Sequence, residues 1–147
     1  MATNYDTDVV AWANEQARLI RSGCFDQLDL EHIAEEIEDV GKSENRELVS
    51  RMAVLLAHLL KWQYQPARRS KSWQYTIKTQ RVEVAFVLRE APSLKARFSD
   101  PEWSYLVWSK AKLQAENETS LDVDVFPDSC PWSLQDVLSD GWLPHDL

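Results

Sequence analysis

The strongest hydrophobic pattern in the chain is the segment Leu48–Tyr64, which is apolar over most of one helical face. We expect this helix to begin near Ser43 and to end before Pro66, because proline lacks the backbone N–H that a helix interior needs. The width of the apolar face predicts a buried central helix that contacts two or more neighbours. Its central positions recur three or four residues apart, and they are Leu48, Met52, Leu55, Leu56 and Leu59.

A narrower stripe predicts a separate amphipathic helix just before the central one. Asp29 is a suitable N-cap for it, and Gly41 is the residue type that commonly ends a helix. The stripe is expected to be buried, and it consists of Leu30, Ile33, Ala34, Ile37 and Val40. The polar residues divide between the edges of the stripe (Glu36 and Glu38) and its outer face (His32, Glu35 and Asp39).

Cap residues and apolar spacing predict three further long helices and a short one. On the fourth helix, a second apolar stripe opposite the first contains Tyr75, Val82 and Phe86. On the fifth helix we expect Leu106 to face inward, and Trp108, with Tyr105, is a candidate for a second surface. The predicted bounds are Asp6 or Thr7 to Gly23 for the first helix, Ser70 or Ser72 to Ala91 for the fourth, Asp100 to about Glu118 for the fifth, and 133–141 for the short one.

The stretch 121–126 alternates apolar and acidic residues, so we expect it to be extended. Glycine is scarce, with three in 147 residues, whereas β folds with many turns need more. We therefore predict a single all-α domain over residues 1–147. It is a bundle of about five main helices, on which the extended segment and a short C-terminal helix wrap, and we detect no linker or second domain.

Charge is divided unevenly along the chain, whose net charge is −8. Residues 1–60 carry five basic and twelve acidic side chains, residues 61–98 nine and two, and residues 99–147 two and ten. The basic middle either lies against acidic parts of the same fold or is offered to an anionic partner. The low pI of about 4.8 makes nucleic acid an unlikely partner.

The sequence also suggests a compartment. No basic region followed by an apolar run, as in a signal peptide, opens the chain, and the apolar run Met52–Leu60 is about half the length of a bilayer span. Cys24 and Cys130 have neither the spacing of a disulfide framework nor that of a zinc site. We expect a cytoplasmic protein with free thiols and no membrane partner.

The first candidate site consists of Glu35, Glu36, Glu38 and His58. Helical bundles hold metal ions between carboxylates and histidines of facing helices. Glu36, Glu38 and His58 would form such a site if the second and third helices were antiparallel neighbours, as in a metal-dependent bundle enzyme. The interpretation that we favour is a boundary histidine with satisfied hydrogen bonds and glutamates that face solvent or pair with arginines, with no metal and no cofactor.

The second candidate site is a basic segment interleaved with the aromatic residues Trp73 and Tyr75. Its cations are Lys61, Arg68, Arg69, Lys71, Lys78 and Arg81. Arginines position phosphates and aromatic rings stack on bases, which would suit an anionic partner such as nucleic acid. The interpretation that we favour pairs the two arginines at 68 and 69 with the glutamates of the first candidate site and buries Trp73 in the core.

Five segments form a pattern that spans nearly the whole chain in order: YDTDVVAW, LDLEHIAEEIEDVGKSE, HLLKWQYQP, RRSKSW and FPDSCPWSLQDVL. The pattern resembles the bacterial family known as "domain of unknown function 29". The resemblance implies a small all-helical protein of bacterial type. It implies no reaction, ligand or catalytic residue, so no functional role can be transferred to a residue of this chain.

The sequence favours a non-enzymatic protein over an enzyme, because it has no Gly-x-Ser-x-Gly motif, no phosphate-binding glycine loop and no histidine near either cysteine. The favoured hypothesis is a non-enzymatic interaction or accessory protein, since aromatic residues and arginine are enriched at protein interfaces. Its partner would be another protein or a second copy of the chain. If there is a site, we expect it at the seam where His58, Lys61 and Trp62 meet both the acidic second helix and the basic connector. The other residues of this candidate seam are Glu35, Glu36, Glu38, Arg68, Arg69 and Trp73.

Overall fold

A computed structural model describes residues 4–147 of the chain, so residues 1–3 of the predicted domain lie outside the description. Helices account for 76% of the protein, and no strand occurs in the described range. The predicted all-α class is therefore confirmed. The fold divides into two compact units, Met1–Ser43 and Glu44–Leu147, and the prediction of one domain stays a prediction.

The first unit contains helix α1, Val9–Arg21, a 3-10 turn over Phe25–Gln27 and the beginning of helix α2. Asp8 caps α1, because its side chain accepts the Ala11 N–H at 3.0 Å. The cap thus lies slightly later than predicted. Gly23 follows the helix with a φ of +77°, the left-handed conformation expected of it.

Helix α2 runs without a break over Leu30–Tyr64, a length of 35 residues. The predicted stop at Gly41 is wrong, and the second and third predicted helices are one. Glycine inside a helix costs only about 0.5–1 kcal/mol relative to alanine. No proline lies close to Gly41, and strong helix formers such as Glu38, Lys42 and Glu44 flank it, so the local stop signal is overridden.

The second unit is built on the C-terminal part of α2. It adds helices α3, Lys71–Glu90, α4, Pro101–Thr119, and the short α5, Leu134–Leu138. The caps predicted for these helices are confirmed: the side chains of Ser70, Asp100 and Ser133 accept backbone N–H groups of the first turns. The predicted end of the central helix before Pro66 is also confirmed.

The core of the second unit centres on α2, as its apolar face predicts. Leu48, Leu55 and Leu59 are completely buried, and burial of each such side chain stabilises the fold by about 1.5–3 kcal/mol before entropy is subtracted. Every long helix of the unit contributes to the same cluster, which continues through Ile77, Val84, Val107, Ala111 and Val137.

Two side chains of helix α4, Leu106 and Trp108, lie on other faces than the sequence predicts. Trp108 is only 2% exposed, because its indole N–H donates to the Pro127 carbonyl at 2.8 Å, whereas Leu106 is 46% exposed. Both of these predictions are wrong, and only Tyr105 is exposed as expected. The large indole ring takes the inward position because it finds both apolar neighbours and a partner for its N–H.

The stretch 121–126 is not extended throughout, as its alternating pattern predicts. A 3-10 turn over Val123–Val125 interrupts it. The side chain of Asp122 accepts the Asp124 N–H, and the side chain of Glu116 accepts the Val123 N–H at 2.6 Å. These side-chain acceptors favour a turn over a strand. No helix within residues 4–147 combines the length and apolar character that crossing a bilayer would require.

Candidate functional site

A partly buried ion pair lies in the second unit, at the part of the predicted seam that Lys61 occupies. Lys61, near the end of α2, is 6% exposed, and its Nζ donates to Glu118 Oε2 at 3.0 Å. The same Nζ lies 4.9 Å from the ring centroid of Trp73. Burial would raise the pKa of Glu118, but the hydrogen bond and charge of Lys61 outweigh it and lower that pKa. Glu118 is therefore ionised at neutral pH.

His58 lies one turn before this pair and is also buried, with 8% of its surface exposed. Its Nδ1 is 2.9 Å from the Val54 carbonyl oxygen, so Nδ1 carries the proton and donates it. Burial lowers the pKa of His58; the bond to Val54 opposes this effect and the charge of Lys61 adds to it. At neutral pH the ring is uncharged and is held by a hydrogen bond within its own helix.

Half of the basic segment is used inside the fold. Arg69 donates from Nε to the Trp62 carbonyl at 2.8 Å and from Nη2 to Asp146 at 2.5 Å, and its guanidinium stacks 5.0 Å from the Trp62 ring. The predicted partners of Arg69, the glutamates of the first unit, are therefore wrong. Within residues 4–147 no ion pair is formed by Arg68, Lys71 or Lys78.

Arg81 is an internal anchor rather than a surface cation. It is buried in α3 and donates from Nε to the Val137 carbonyl at 2.9 Å and from Nη2 to the Trp142 carbonyl at 2.7 Å. Burial lowers its pKa, and the charge of Asp140 opposes this effect. The guanidinium thus ties the C-terminal segment to α3, and it is not available to a ligand.

The first unit contains a polar network that the sequence does not reveal. His32 Nδ1 lies 2.7 Å from Asp29 Oδ2, which also accepts the indole N–H of Trp12 at 3.0 Å. The Tyr5 ring stacks on His32 with centroids 4.1 Å apart, and its hydroxyl donates to Glu36 at 2.5 Å. That hydrogen bond raises the pKa of Tyr5 to about 12.

Helical spacing predicts that His32 lies on the outer face of its helix, but its side chain contacts Asp29 and Tyr5 in this network. The hydrogen bond to Asp29 raises the pKa of His32, and the same contact lowers the pKa of Asp29. The signal in the sequence for this network is Tyr5, because its aromatic ring needs an apolar surface against which to pack. Glu35 and Glu38 remain exposed, as expected of a solvated face.

An apolar groove of about 280 Å³ lies between α1 and the first part of α2. The prediction that the stripe on α2 is buried is wrong, since Leu30, Ile37 and Val40 are 66–68% exposed. Within the first unit, α1 covers only the side of α2 that contacts Trp12. Side chains from both helices line the groove, and they include Ala13, Ala17, Ile20, Ile33, Glu36, Ile37 and Val40.

The metal-site hypothesis required two antiparallel helices, and that premise is wrong because α2 is continuous. Glu36 and Glu38 belong to the first unit and His58 to the second. In the part of the chain that the structure describes, no three His, Cys, Asp or Glu side chains are grouped so that they could hold a metal ion.

Comparison with known proteins identifies a family. The family model described as "Domain of unknown function DUF29" matches residues 4–143, so the resemblance noted from the sequence is confirmed. No curated protein and no solved structure matches the chain. The description of the family states no activity.

Proposed function

We propose that the protein is a non-enzymatic interaction module. The chain belongs to the family described as "Domain of unknown function DUF29", and because this description states no activity, the proposal is drawn from the geometry. The binding surface is the apolar groove between α1 and the first part of α2. The observation that supports this proposal is the exposure of Ile37 and Val40, which line the groove and are each about two thirds accessible.

Because these apolar side chains are exposed, the free energy that their burial would contribute is available for binding a partner. Full burial of one Leu, Ile or Val side chain contributes about 1.5–3 kcal/mol, and contiguous apolar patches on soluble proteins commonly mark interaction sites. A groove between two helices accepts the apolar face of a third helix, which would place side chains at three- and four-residue spacing along it. A helix is therefore the partner element that fits.

Charge specifies the partner further. Residues 4–43 contain ten acidic and three basic residues, and Glu36 itself lines the groove. A second copy of the chain would bring two strongly acidic surfaces together, which is unfavourable. The proposed partner is therefore another protein that presents an amphipathic helix with Lys or Arg beside its apolar face.

We propose that this interaction takes place in the bacterial cytoplasm. Both cysteines, Cys24 and Cys130, are free thiols, which suits a reducing compartment. An extracellular location would instead favour disulfide pairing. Fractionation of cells that express the tagged full-length chain tests the location, and recovery in the periplasmic or secreted fraction would contradict it.

The binding surface is tested by photo-crosslinking from two exposed positions. A crosslinking residue replaces Ile37 in the groove, and the matched control replaces Val82, which is exposed on α3. We expect discrete products from position 37 alone, each joined to a helical segment with a basic flank. Equal products from both positions, or a crosslink to a second copy of the chain, would contradict the proposal.

The affinity of the captured segment, made as a synthetic peptide, provides a quantitative test. The pair Ile37→Ser with Val40→Ser is expected to weaken binding more than tenfold, because two apolar contacts worth about 1 kcal/mol or more each are lost. The control pair Val82→Ser with Phe86→Ser is expected to bind as the wild type does. Affinity should fall as salt is raised, because acidic and basic surfaces attract.

A further inference from the structure

The second unit contains an apolar cavity of about 140 Å³ that the proposed interaction surface does not use. It lies between α2, α4 and the segment around α5. Six large side chains dominate its lining, namely Met52, Leu56, Phe98, Trp103, Trp108 and Trp132. An engineered apolar cavity of roughly 150 Å³ in another protein stays dry and binds benzene. The size of the present cavity thus suits one six-membered ring.

The rings of the lining offer faces and edges rather than hydrogen bonds. The indole N–H of Trp103 already donates to Asn45 at 3.0 Å, and that of Trp108 donates to Pro127 at 2.8 Å. Trp108 also meets Trp132 edge-on, with centroids 5.8 Å apart. Aromatic groups prefer such edge-to-face and offset arrangements, so the occupant that gains most from this lining is itself aromatic.

An outer depression of about 470 Å³ adjoins the cavity. Ser104, Trp108 and Cys130 line both spaces, so they mark the junction between them. Asp128 is the only charged residue in the lining of the outer depression. A carboxylate at this position attracts a cation and repels an anion.

We propose that this cavity binds a small monocyclic aromatic molecule with a positively charged substituent. The ring occupies the inner cavity, and the substituent passes the junction to reach Asp128. This site lies wholly within the second unit, so the proposal does not depend on the groove of the first unit.

Three probes of similar size test the proposal on the purified full-length chain. They are propylbenzene, phenethylamine and phenylacetate, and the readout is the rise in Tm with probe concentration together with ligand-observed NMR. We expect phenethylamine to bind at least threefold more tightly than propylbenzene, and phenylacetate to bind most weakly. No binding by any probe, or phenylacetate binding as well as phenethylamine, would overturn the proposal.

The thiol at the junction locates the bound probe without any substitution. Burial raises the pKa of Cys130, against a weaker opposing effect of its bond to Trp132, so alkylation is slow and depends on access. Phenethylamine should slow the alkylation of Cys130 severalfold and leave that of Cys24, in the first unit, unchanged. Protection of Cys24 alone, or of neither thiol, would show that the probe does not occupy the cavity.

A variant at the junction completes the test. Ser104→Phe should abolish probe binding because the larger side chain blocks the passage, whereas Lys110→Phe, at an exposed position of the same helix, should bind as the wild type does. If Ser104→Phe does not fold, the alkylation experiment on the unaltered chain decides. Unchanged binding by a folded Ser104→Phe protein would overturn the proposal.

Discussion

His32 and Asp29 stabilise each other in their charged forms, with 2.7 Å between Nδ1 and Oδ2. The pKa of His32 is raised in the folded protein, so its contribution to stability is present below the unfolded value of about 6.5 and is lost as pH rises through the folded value. The pKa of Asp29 is lowered. Its contribution is present above the unfolded value of about 3.9 and is lost as pH falls through the folded value.

The pKa values of His32 and His58 are shifted in opposite directions. NMR titration should place the midpoint of His32 above that of a model histidine, because Asp29 favours the charged ring. It should place the midpoint of His58 below it, because burial favours the neutral ring. The Tm difference between the wild type and His32→Gln should be largest near about pH 5.5 and shrink toward about pH 8. A difference that grows over this range would contradict the assigned contact.

The ion pair between Lys61 and Glu118 should respond unequally to loss of its two members. The Lys61 side chain is 8% exposed, whereas that of Glu118 is 35% exposed. Glu118→Ala leaves a buried ammonium without its partner and should cost about 1–3 kcal/mol of unfolding free energy. Lys61→Met leaves only a carboxylate that water can reach, so it should cost less, about 1 kcal/mol.

Urea denaturation of both variants measures this difference directly. The double variant Lys61→Met with Glu118→Ala provides the control, because it removes the unpaired charge in either case. Its loss should be smaller than that of Glu118→Ala alone. Equal losses in the two single variants would mean that Lys61 is solvated, contrary to the structure.

The sequence alone identified some of the residues in these contacts but not their acidic partners. Helical spacing placed His58 and Lys61 at one edge of the central helix, and the structure brings Lys61 to Trp73 and Arg69 to Trp62. The acidic partners were missed because they lie far along the chain. Glu118 and Asp146 are 57 and 77 residues from the cations that they bind, and no local pattern encodes such a pairing.

At the scale of helices, Gly41 makes a decisive test possible. It lies inside α2, and a Cβ added there would meet no atom within 4 Å. Gly41→Ala should therefore stabilise the protein by about 0.5–1 kcal/mol, because alanine loses less backbone entropy and causes no clash. Thermal unfolding measures the effect. Destabilisation would mean that the chain ends a helix at Gly41, as the sequence alone suggested.

Helix ends were predicted well where the signal is local and poorly where it is not. Ser70, Asp100 and Ser133 each satisfy a backbone N–H within the next few residues, so a short sequence window contains the whole interaction. Gly41 has no side chain that could accept a backbone N–H group, so whether the helix ends at this residue depends on the flanking residues. The turn within 121–126 depends on Glu116 from the preceding helix, which an alternating pattern cannot show.

At the scale of the whole molecule, the segregated charges are partly matched within the second unit. The basic middle of the chain contributes Lys61 and Arg69, and the acidic end contributes Glu118 and Asp146. The prediction of internal complementarity thus holds for these pairs, although the acidic partner is the C-terminal region. The acidic surplus of the first unit has no such match within that unit, which is why we expect a basic partner for it.

The attachment of the C-terminal segment should depend on one side chain. Arg81→Met leaves the carbonyl groups of Val137 and Trp142 without their donor, and this loss should cost about 2–3 kcal/mol. Arg68→Met, at an exposed position, should change the unfolding free energy by less than about 0.5 kcal/mol. Urea denaturation measures both variants. A small effect of Arg81→Met would show that the apolar contacts of Val137 alone hold the segment.

The anchor at Arg81 also bears on how the protein is made. Its two carbonyl acceptors lie 56 and 61 residues later in the chain, so they leave the ribosome well after α3 does. Until then the guanidinium has to stay hydrated, and the second unit cannot close its core around Val137. The polar network of the first unit joins residues that are at most 31 positions apart, so its formation is free of this delay. Translation should therefore produce a folded N-terminal hairpin first and complete the second unit in a single late step.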